Sequence, residues 1–117
     1  KVHGLDQLEA LPPGMAVETL GEDFDEGPHA FFDAAAVLMG LDLVVTVDTA
    51  IGHLAGALGR PVWLALQRVP HWVWMMEGED SPWYPRHKLF RQARNGDWDG
   101  VFARMADELE SRLAAKA

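Results

Sequence analysis

The fold is decided by residues 43–53, which read LVVTVDTAIGH. The first five are apolar or β-branched without interruption, which is typical of a strand that a parallel sheet covers on both faces. A short helix follows over residues 50–58, and Gly59 supplies its C-terminal stop. We therefore expect residues 43–47 to form a central parallel strand, with Asp48 and Thr49 at its carboxyl end.

Strands and helices alternate on both sides of this unit. The remaining predicted elements are a short helix at 5–11, a strand at 15–20, an acidic loop at 21–28, a helix at 30–39, strands at 62–66 and 88–90, and a final helix. Asn95 or Asp97 caps the last helix. Its apolar face is expected to comprise Trp98, Val101, Phe102, Met105 and Leu109. This order predicts an α/β fold, a Rossmann-like parallel sheet with helices on both faces, in one domain of residues 1–117.

Composition excludes several classes of function. The chain has 117 residues, of which 49% are hydrophobic, so it can bury a core. Its net charge of -8 disfavours nucleic acid as a partner, because phosphate backbones are bound by clustered Lys and Arg. With no cysteine, the chain has no disulfide and no thiolate nucleophile.

The sequence shows neither a membrane span nor a signal peptide. No apolar run approaches the ~20 residues of a membrane span, and the first residues lack a signal-peptide pattern. We therefore expect a cytoplasmic location and no membrane span. Because the chain does not begin with Met, it reads as a piece of a longer protein.

The predicted strand-to-helix junction is the candidate binding site, since ligands of such sheets bind beyond the carboxyl ends of the strands. Free N–H groups of Ala50, Ile51 and Gly52, the Thr49 hydroxyl and His53 one turn later predict an anion site. The alternative is an ordinary N-cap followed by a helix of small residues packed on the sheet. The absence of G-x-G-x-x-G and of a phosphate-binding P-loop disfavours Rossmann dehydrogenases and P-loop NTPases.

A loop rich in tryptophan follows the predicted strand at 62–66. Trp72, Trp74, Trp83 and Tyr84 either stack on a sugar or base or pack the loop onto the sheet. Glu77, Glu79 and Asp80 either supply a catalytic carboxylate or a divalent-cation ligand or, as we expect, are solvated loop residues, and no metal site is predicted.

Two runs of the sequence resemble a known family. Residues 42–63, DLVVTVDTAIGHLAGALGRPVW, resemble the donor-site segment of GT-B glycosyltransferases of the bacterial heptosyltransferase type, glycosyltransferase family nine. The later run EDSPWYP at 79–85, with LFRQ at 89–92 and GDW at 96–98, is similar to bacterial tetratricopeptide-repeat proteins that end in such a transferase. The resemblance covers residues 30–109.

The resemblance implies an N-terminally incomplete, nucleotide-sugar-binding half of a GT-B fold. The donor is a nucleotide-diphosphate sugar, and neither a cofactor nor a metal is implied. Its diphosphate would contact Thr49, Ala50, Ile51, Gly52 and His53. Sugar or acceptor contacts would come from Asp48, Arg68, His71 and Trp72, and Lys1 resembles a lysine near the phosphate.

The resemblance also implies partners within a longer protein. A further Rossmann-like domain would carry the general base, and helical repeats would precede it. The chain alone is therefore expected to be inactive, and to self-associate through a sheet edge at residues 15–20.

Three positions depart from the family pattern. His71 and Val73 stand where relatives have an acid and an arginine, and Ala34 stands where threonine is usual. These changes keep a second interpretation open, a non-catalytic GT-B-like binding or scaffolding module with an eroded site. A nucleotide-sugar epimerase of the GT-B type is a further alternative, against which the run at 81–85 argues.

Overall fold

The computed structural model describes residues 4–117. Lys1 lies outside that range, so its expected place near a phosphate stays a prediction.

A three-stranded parallel sheet forms the centre of the described chain. Its strands are β1 (Val44–Val47), β2 (Val62–Leu66) and β3 (His87–Arg91), in the order β1-β2-β3. The helices are α1 (Phe32–Gly40), α2 (Ala50–Ala57) and α3 (Trp98–Lys116), and two 3-10 turns cover Leu5–Ala10 and Trp72–Trp74. The predicted α/β class, with a parallel sheet and helices on both faces, is confirmed.

One face of the sheet, which we call the α2 face, is closed along all three strands. Leu38 of α1 and Ala55 of α2 pack against Val44 and Val62. Further along the same face the core comprises Leu64, Leu66, Leu89 and the side chain of Trp74, with Tyr84 and Val73 against them. This face is therefore covered by α1, α2 and the loop between β2 and β3, residues 67–86, which we call the tryptophan loop.

The opposite face, which we call the α3 face, is closed only over β2 and β3. Val101 and Met105 of α3 pack on Trp63, Ala65 and Phe90. The neighbouring positions on β1 in register with Trp63 and Ala65 are Val45 and Val47, and they are 54% and 44% exposed. The expected apolar face of α3 is thus correct for Val101 and Met105 and wrong for three exposed residues, Trp98, Phe102 and Leu109.

Two strand predictions are wrong. Residues 43–47 were expected to be central, but β1 is at the edge of the described sheet and β2 is central. Among residues 4–117 no strand pairs with the outer side of β1, and β1 is covered on one face only, whereas every residue of β2 is buried. Residues 15–20 form no strand and their side chains are exposed, because weak alternation is not enough without a partner strand to pair with.

The helix ends follow their predicted residues. The Asp97 carboxylate accepts from the Gly100 N–H at 3.1 Å and caps α3. Gly59 has a φ of +68° just after α2, and the Arg60 N–H returns to the Ala55 carbonyl, which is the bonding pattern of a glycine-terminated helix.

The acidic loop at 21–28 has a structural role that its composition did not predict. Asp25 Oδ1 accepts from the N–H groups of Asp33 and Ala34, and the Asp33 carboxylate accepts from the Asp25 N–H. This reciprocal pair satisfies donors in the first turn of α1, as a capping box does.

Candidate functional site

The junction between β1 and α2 lies at the carboxyl edge of the sheet. Gly52 lets α2 approach closely, since a Cβ there would lie 3.1 Å from Leu64 Cδ1. The Gly52 N–H, however, donates to the Thr49 carbonyl at 3.1 Å. The prediction of three free donors is therefore wrong for Gly52, which leaves the N–H groups of Ala50 and Ile51 as the candidates in the first turn.

Thr49 stands at the N-cap position in an extended conformation. Its side chain makes no capping bond to α2, and its hydroxyl lies 3.4 Å from that of Thr46. Thr49 is exposed and lies at the edge of the sheet.

His53 is held in one orientation by three neighbours. Its Nδ1 lies 3.0 Å from Tyr84 Oη, and its ring stacks on Trp74 with centroids 4.9 Å apart. Its Nε2 lies 3.9 Å from Asp48 Oδ1. An imidazole fixed in this way presents Nε2 toward the junction, which suits it to a phosphate oxygen.

His53 belongs to a cluster of four rings, with Trp74, Tyr84 and His87. Tyr84 stacks on His87 at 4.7 Å, and Trp74 stacks on His87 at 5.7 Å. Gly56 makes room for this cluster, because a Cβ there would lie 2.6 Å from His87 Cε1 and from Tyr84 Cδ1. The cluster thus fixes the tryptophan loop and β3 against α2.

His87 is a neutral component of the cluster. Its Nε2 lies 3.2 Å from the Gly52 carbonyl, which can only accept, so Nε2 carries the proton and Nδ1 the lone pair. Burial lowers the pKa of His87, and proximity to His53 lowers it further, against the raising effect of the Gly52 bond. Protonation would charge a ring whose Nδ1 has no partner among residues 4–117.

Two side chains at the end of β3 hold the loops around the site. The Arg91 guanidinium donates to four carbonyls of the tryptophan loop, those of Trp74, Met75, Glu77 and Gly78, and burial lowers its pKa. The buried Gln92 accepts from the N–H groups of Arg68 and Gly96. These bonds set the path of the backbone after β2 and before α3.

Two pockets flank the junction. The first, of about 300 Å³, lies at the carboxyl ends of β1 and β2 and is lined by Val47, Asp48, Ala65, Leu66, Gln67, Pro70 and Trp98. The second, of about 280 Å³, is lined by His53, Trp72, Val73, Trp83 and Tyr84. Asp48 lines the first and His53 the second, so their 3.9 Å contact joins the two.

The predicted site residues are brought together in part. Asp48 and His53 are in contact, and Trp72 lies in the same pocket as His53. Arg68 and His71 are exposed and line neither pocket.

Three residues near the junction had no predicted role there, namely Gln67, His87 and Trp98. Tyr84 was expected either to stack on a sugar or base or to pack the loop, and its hydroxyl lies against His53. Trp98 had one signal, its place in the GDW run, whereas no local pattern marks Gln67 or His87.

No group of three His, Asp or Glu side chains is arranged to hold a metal ion in the part of the chain that the structure describes. Within the same part, no helix combines the length and the apolar character that crossing a bilayer requires.

Comparison with known proteins adds a family match over this region. Residues 27–66 match the family model described as glycosyltransferase family 9 (heptosyltransferase). The match contains α1, β1, α2 and β2, and with them the whole junction from Asp48 to His53. It supports a glycosyltransferase-type domain with a Rossmann-like half-fold.

The alignment with a similar protein is longer than the family match. The chain is 32% identical over 83 residues to Protein FlbA of Caulobacter vibrioides, which covers 71% of this chain. The same alignment covers 14% of FlbA, so the chain corresponds to a small part of that protein. No solved structure matches the chain.

Proposed function

We propose that this chain is the donor-binding part of a glycosyltransferase and that it holds the diphosphate of a nucleotide sugar at the β1–α2 junction. The observation that carries the proposal is the fixed His53 ring, bonded to Tyr84 and directed at Asp48 beside the first turn of α2. The family match over residues 27–66 includes this segment and supports the same assignment.

The chemistry of transfer explains why such a junction is useful. Breaking the bond between the sugar and the diphosphate develops negative charge on the leaving phosphate. Donors already aimed at that charge lower the barrier, each by ~3 kcal/mol in favourable cases. We assign this role to the N–H groups of Ala50 and Ile51, the Thr49 hydroxyl and His53, aided by the positive end of the α2 dipole.

Asp48 has a different role in this proposal. A carboxylate beside a diphosphate repels it, so Asp48 is better suited to orient the His53 imidazole or to accept from a sugar hydroxyl. The distance of 3.9 Å between Asp48 Oδ1 and His53 Nε2 is compatible with both roles. Arg68 and His71 remain predictions for contacts to the sugar or acceptor.

Titration with UDP, ADP and GDP, followed by amide chemical shifts, tests the proposal. We expect shifts over residues 48–53, and about tenfold weaker binding in the His53→Ala variant. His29→Ala is the matched control, because His29 lies in the loop before α1 and should leave binding unchanged. Unperturbed signals over residues 48–53 with all three nucleotides would refute the diphosphate site.

The scaffolding alternative has its own support. The Gly52 N–H is already bonded to Thr49, and His71 and Val73 replace the acid and arginine of the resembled family. The same titration separates the two functions, since a scaffold with an eroded site has no reason to bind nucleotides.

The proposal for the whole protein includes a second Rossmann-like domain bearing the general base, helical repeats and a cytoplasmic location. A GT-B site lies between two domains, so we expect no sugar transfer by residues 1–117 alone. Turnover of a nucleotide sugar by the purified chain, above a heat-inactivated sample, would contradict this.

A further inference from the structure

Two tryptophans beside the junction are exposed. Trp72 is 71% exposed and Trp83 is 55% exposed, and both line the pocket of about 280 Å³ that contains His53. Trp74, by contrast, is fully buried and packs the loop onto the sheet. Of the two roles expected for these tryptophans, packing therefore applies to Trp74 and does not account for the exposure of Trp72 and Trp83.

Hydrogen bonds fix the Trp83 indole in its exposed position. Its Nε1 donates to the Val73 carbonyl at 2.8 Å. The buried Ser81 hydroxyl accepts from the backbone N–H groups of Trp83 and Tyr84 at 3.2 and 3.3 Å. An aromatic ring held open in this way is ready to stack on a ligand without a further entropic cost of ordering.

The chemistry of the pocket favours a neutral ring. Its five lining residues include no Lys, Arg, Asp or Glu, and away from His53 the lining consists of three aromatic side chains and a valine. The volume is just below the range of ~300–1,000 Å³ for sites that take a whole small molecule, so it suits one ring of a larger ligand.

The Tyr84 hydroxyl and the His53 imidazole, which line the pocket, lie 3.0 Å apart. Asp48 Oδ1 lies 3.9 Å from the Nε2 of the same imidazole. A hexopyranose matches this arrangement, since its C–H face stacks on an indole while hydroxyls at its rim reach an imidazole or a carboxylate. A nucleobase would need donors and acceptors along its edge, but the Val73 carbonyl is already bonded to Trp83.

We infer that Trp72, Trp83, Tyr84 and His53 form a stacking subsite for a neutral hexopyranose ring, next to the diphosphate site. The ring belongs either to the nucleotide sugar or to a sugar acceptor, and this assignment rests on the proposed function. Stacking itself does not, because a free sugar without phosphate can occupy the subsite.

The test uses methyl β-D-glucopyranoside and the indole N–H signals of the five tryptophans. The titration is carried to about 100 mM, because a single ring has few atoms with which to bind. We expect the signals of Trp72 and Trp83 to shift, and that of the buried Trp63 to stay in place. Binding should weaken about three- to tenfold in Trp72→Ala and in Trp83→Ala, and Trp72→Phe should recover it in part.

Phe102→Ala is the matched control, because Phe102 is an exposed aromatic residue on α3 that does not line the pocket. It should bind the sugar like the unmodified chain. A backbone amide spectrum of each variant shows whether it remains folded. Sugar binding that is unchanged in both tryptophan variants would overturn the inference, as would shifts with adenosine and none with the glucoside.

Further measurements identify the source of the ring and separate this inference from the diphosphate proposal. If the glucoside competes with UDP-glucose, the subsite holds the donor sugar, and if both bind together, it holds an acceptor sugar. Shifts at Trp72 and Trp83 without any UDP effect at residues 48–53 would support the subsite and refute the diphosphate site. UDP shifts without a glucoside effect would do the reverse.

Discussion

The two faces of the sheet differ in how completely helices and loops cover them. On the α2 face, α1, α2 and the tryptophan loop bury the side chains of all three strands. On the α3 face, one helix covers β2 and β3, and Val45 and Val47 of β1 remain about half exposed. An apolar strand sequence is therefore compatible with burial on both faces. Which face is actually buried depends on the helices and loops that pack on the sheet.

The comparison also locates the site. His53, the four-ring cluster and the exposed tryptophans all belong to the closed α2 face. That face combines a rigid core with exposed aromatic rings at its margin, which is the arrangement that a binding site needs. The α3 face combines the exposed Val45 and Val47 with charged side chains, including Lys88 and Arg112 paired to Glu108, and lacks a comparable cluster of aromatic rings around a histidine among residues 4–117.

The largest expected difference in stability is between alanine variants of two adjacent valines of β1. Val44→Ala should destabilise the chain by about 1.5–3 kcal/mol, since Val44 is buried on the α2 face. Val45→Ala makes the same change on the exposed α3 face and should cost less than about 1 kcal/mol. Urea denaturation measures both, and equal losses would show that the two faces are equally covered.

A slightly smaller effect is expected where α2 meets the ring cluster. Gly56→Ala should cost about 1–3 kcal/mol, because the new Cβ lies 2.6 Å from His87 and Tyr84 ring atoms. Gly40→Ala at the end of α1 is the control, because nothing lies within 4 Å of its Cβ and alanine favours helix. A stabilised Gly56→Ala variant would mean that the cluster is loosely packed.

The outer part of the α2 face depends on the Asp25 cap. Asp25→Ala should destabilise α1 by about 1 kcal/mol, since the N–H groups of Asp33 and Ala34 lose their acceptor. Asp25→Asn retains an acceptor oxygen and tolerates the φ of +55° at this position, so it should lose less. Thermal melting of both variants gives the difference in stability. Identical melting temperatures would show that the Asp25 cap does not stabilise α1.

The closed face should also make stability depend on pH. Because the pKa of His87 is lowered in the fold, the unfolded chain takes up this proton first as the pH falls. The contribution of neutral His87 is complete above the ordinary value of 6.5 and is lost progressively below it. In His87→Gln, which keeps a donor for the Gly52 carbonyl, stability should fall less steeply below pH 6.5.

This difference in slope is the quantity to measure by urea denaturation, since other histidines titrate in both proteins. Parallel curves for His87→Gln and the unmodified chain would show that His87 is not held neutral by the cluster.

The smallest effect concerns the open face, where we expect weak self-association. Val45 and Val47 expose apolar surface at the β1 edge, although the net charge of -8 opposes contact. Sedimentation over a concentration series at physiological salt, where charges are screened beyond ~8 Å, should show association that Val45→Thr reduces. A monomer at every concentration would show that the exposed valines of the α3 face do not drive association.

Much of the architecture could be predicted from local patterns. The strand at residues 62–66, the helix after Asp48-Thr49 and the Asp97 cap all agree with the structure. These features depend on near neighbours, on β-branched runs, caps and glycine stops, and so they are visible in a short window of sequence.

The site was predicted less completely, for a physical reason. The β1–α2 junction was found because strand ends in a parallel sheet point to one edge. The partners of its residues were not found, since His53 and Tyr84 are 31 positions apart and Gly52 and His87 are 35 apart.

The sequence by itself thus determined the α/β class, the order of the elements from α1 onward and the position of the candidate junction. Only the tertiary structure decided that β1 is an edge strand, that the Gly52 N–H is already bonded, and that Trp72 and Trp83 stand open while Trp74 is buried. Local patterns state which side chains are apolar. Which of them are covered depends on contacts between distant segments, and those form only when the chain has folded.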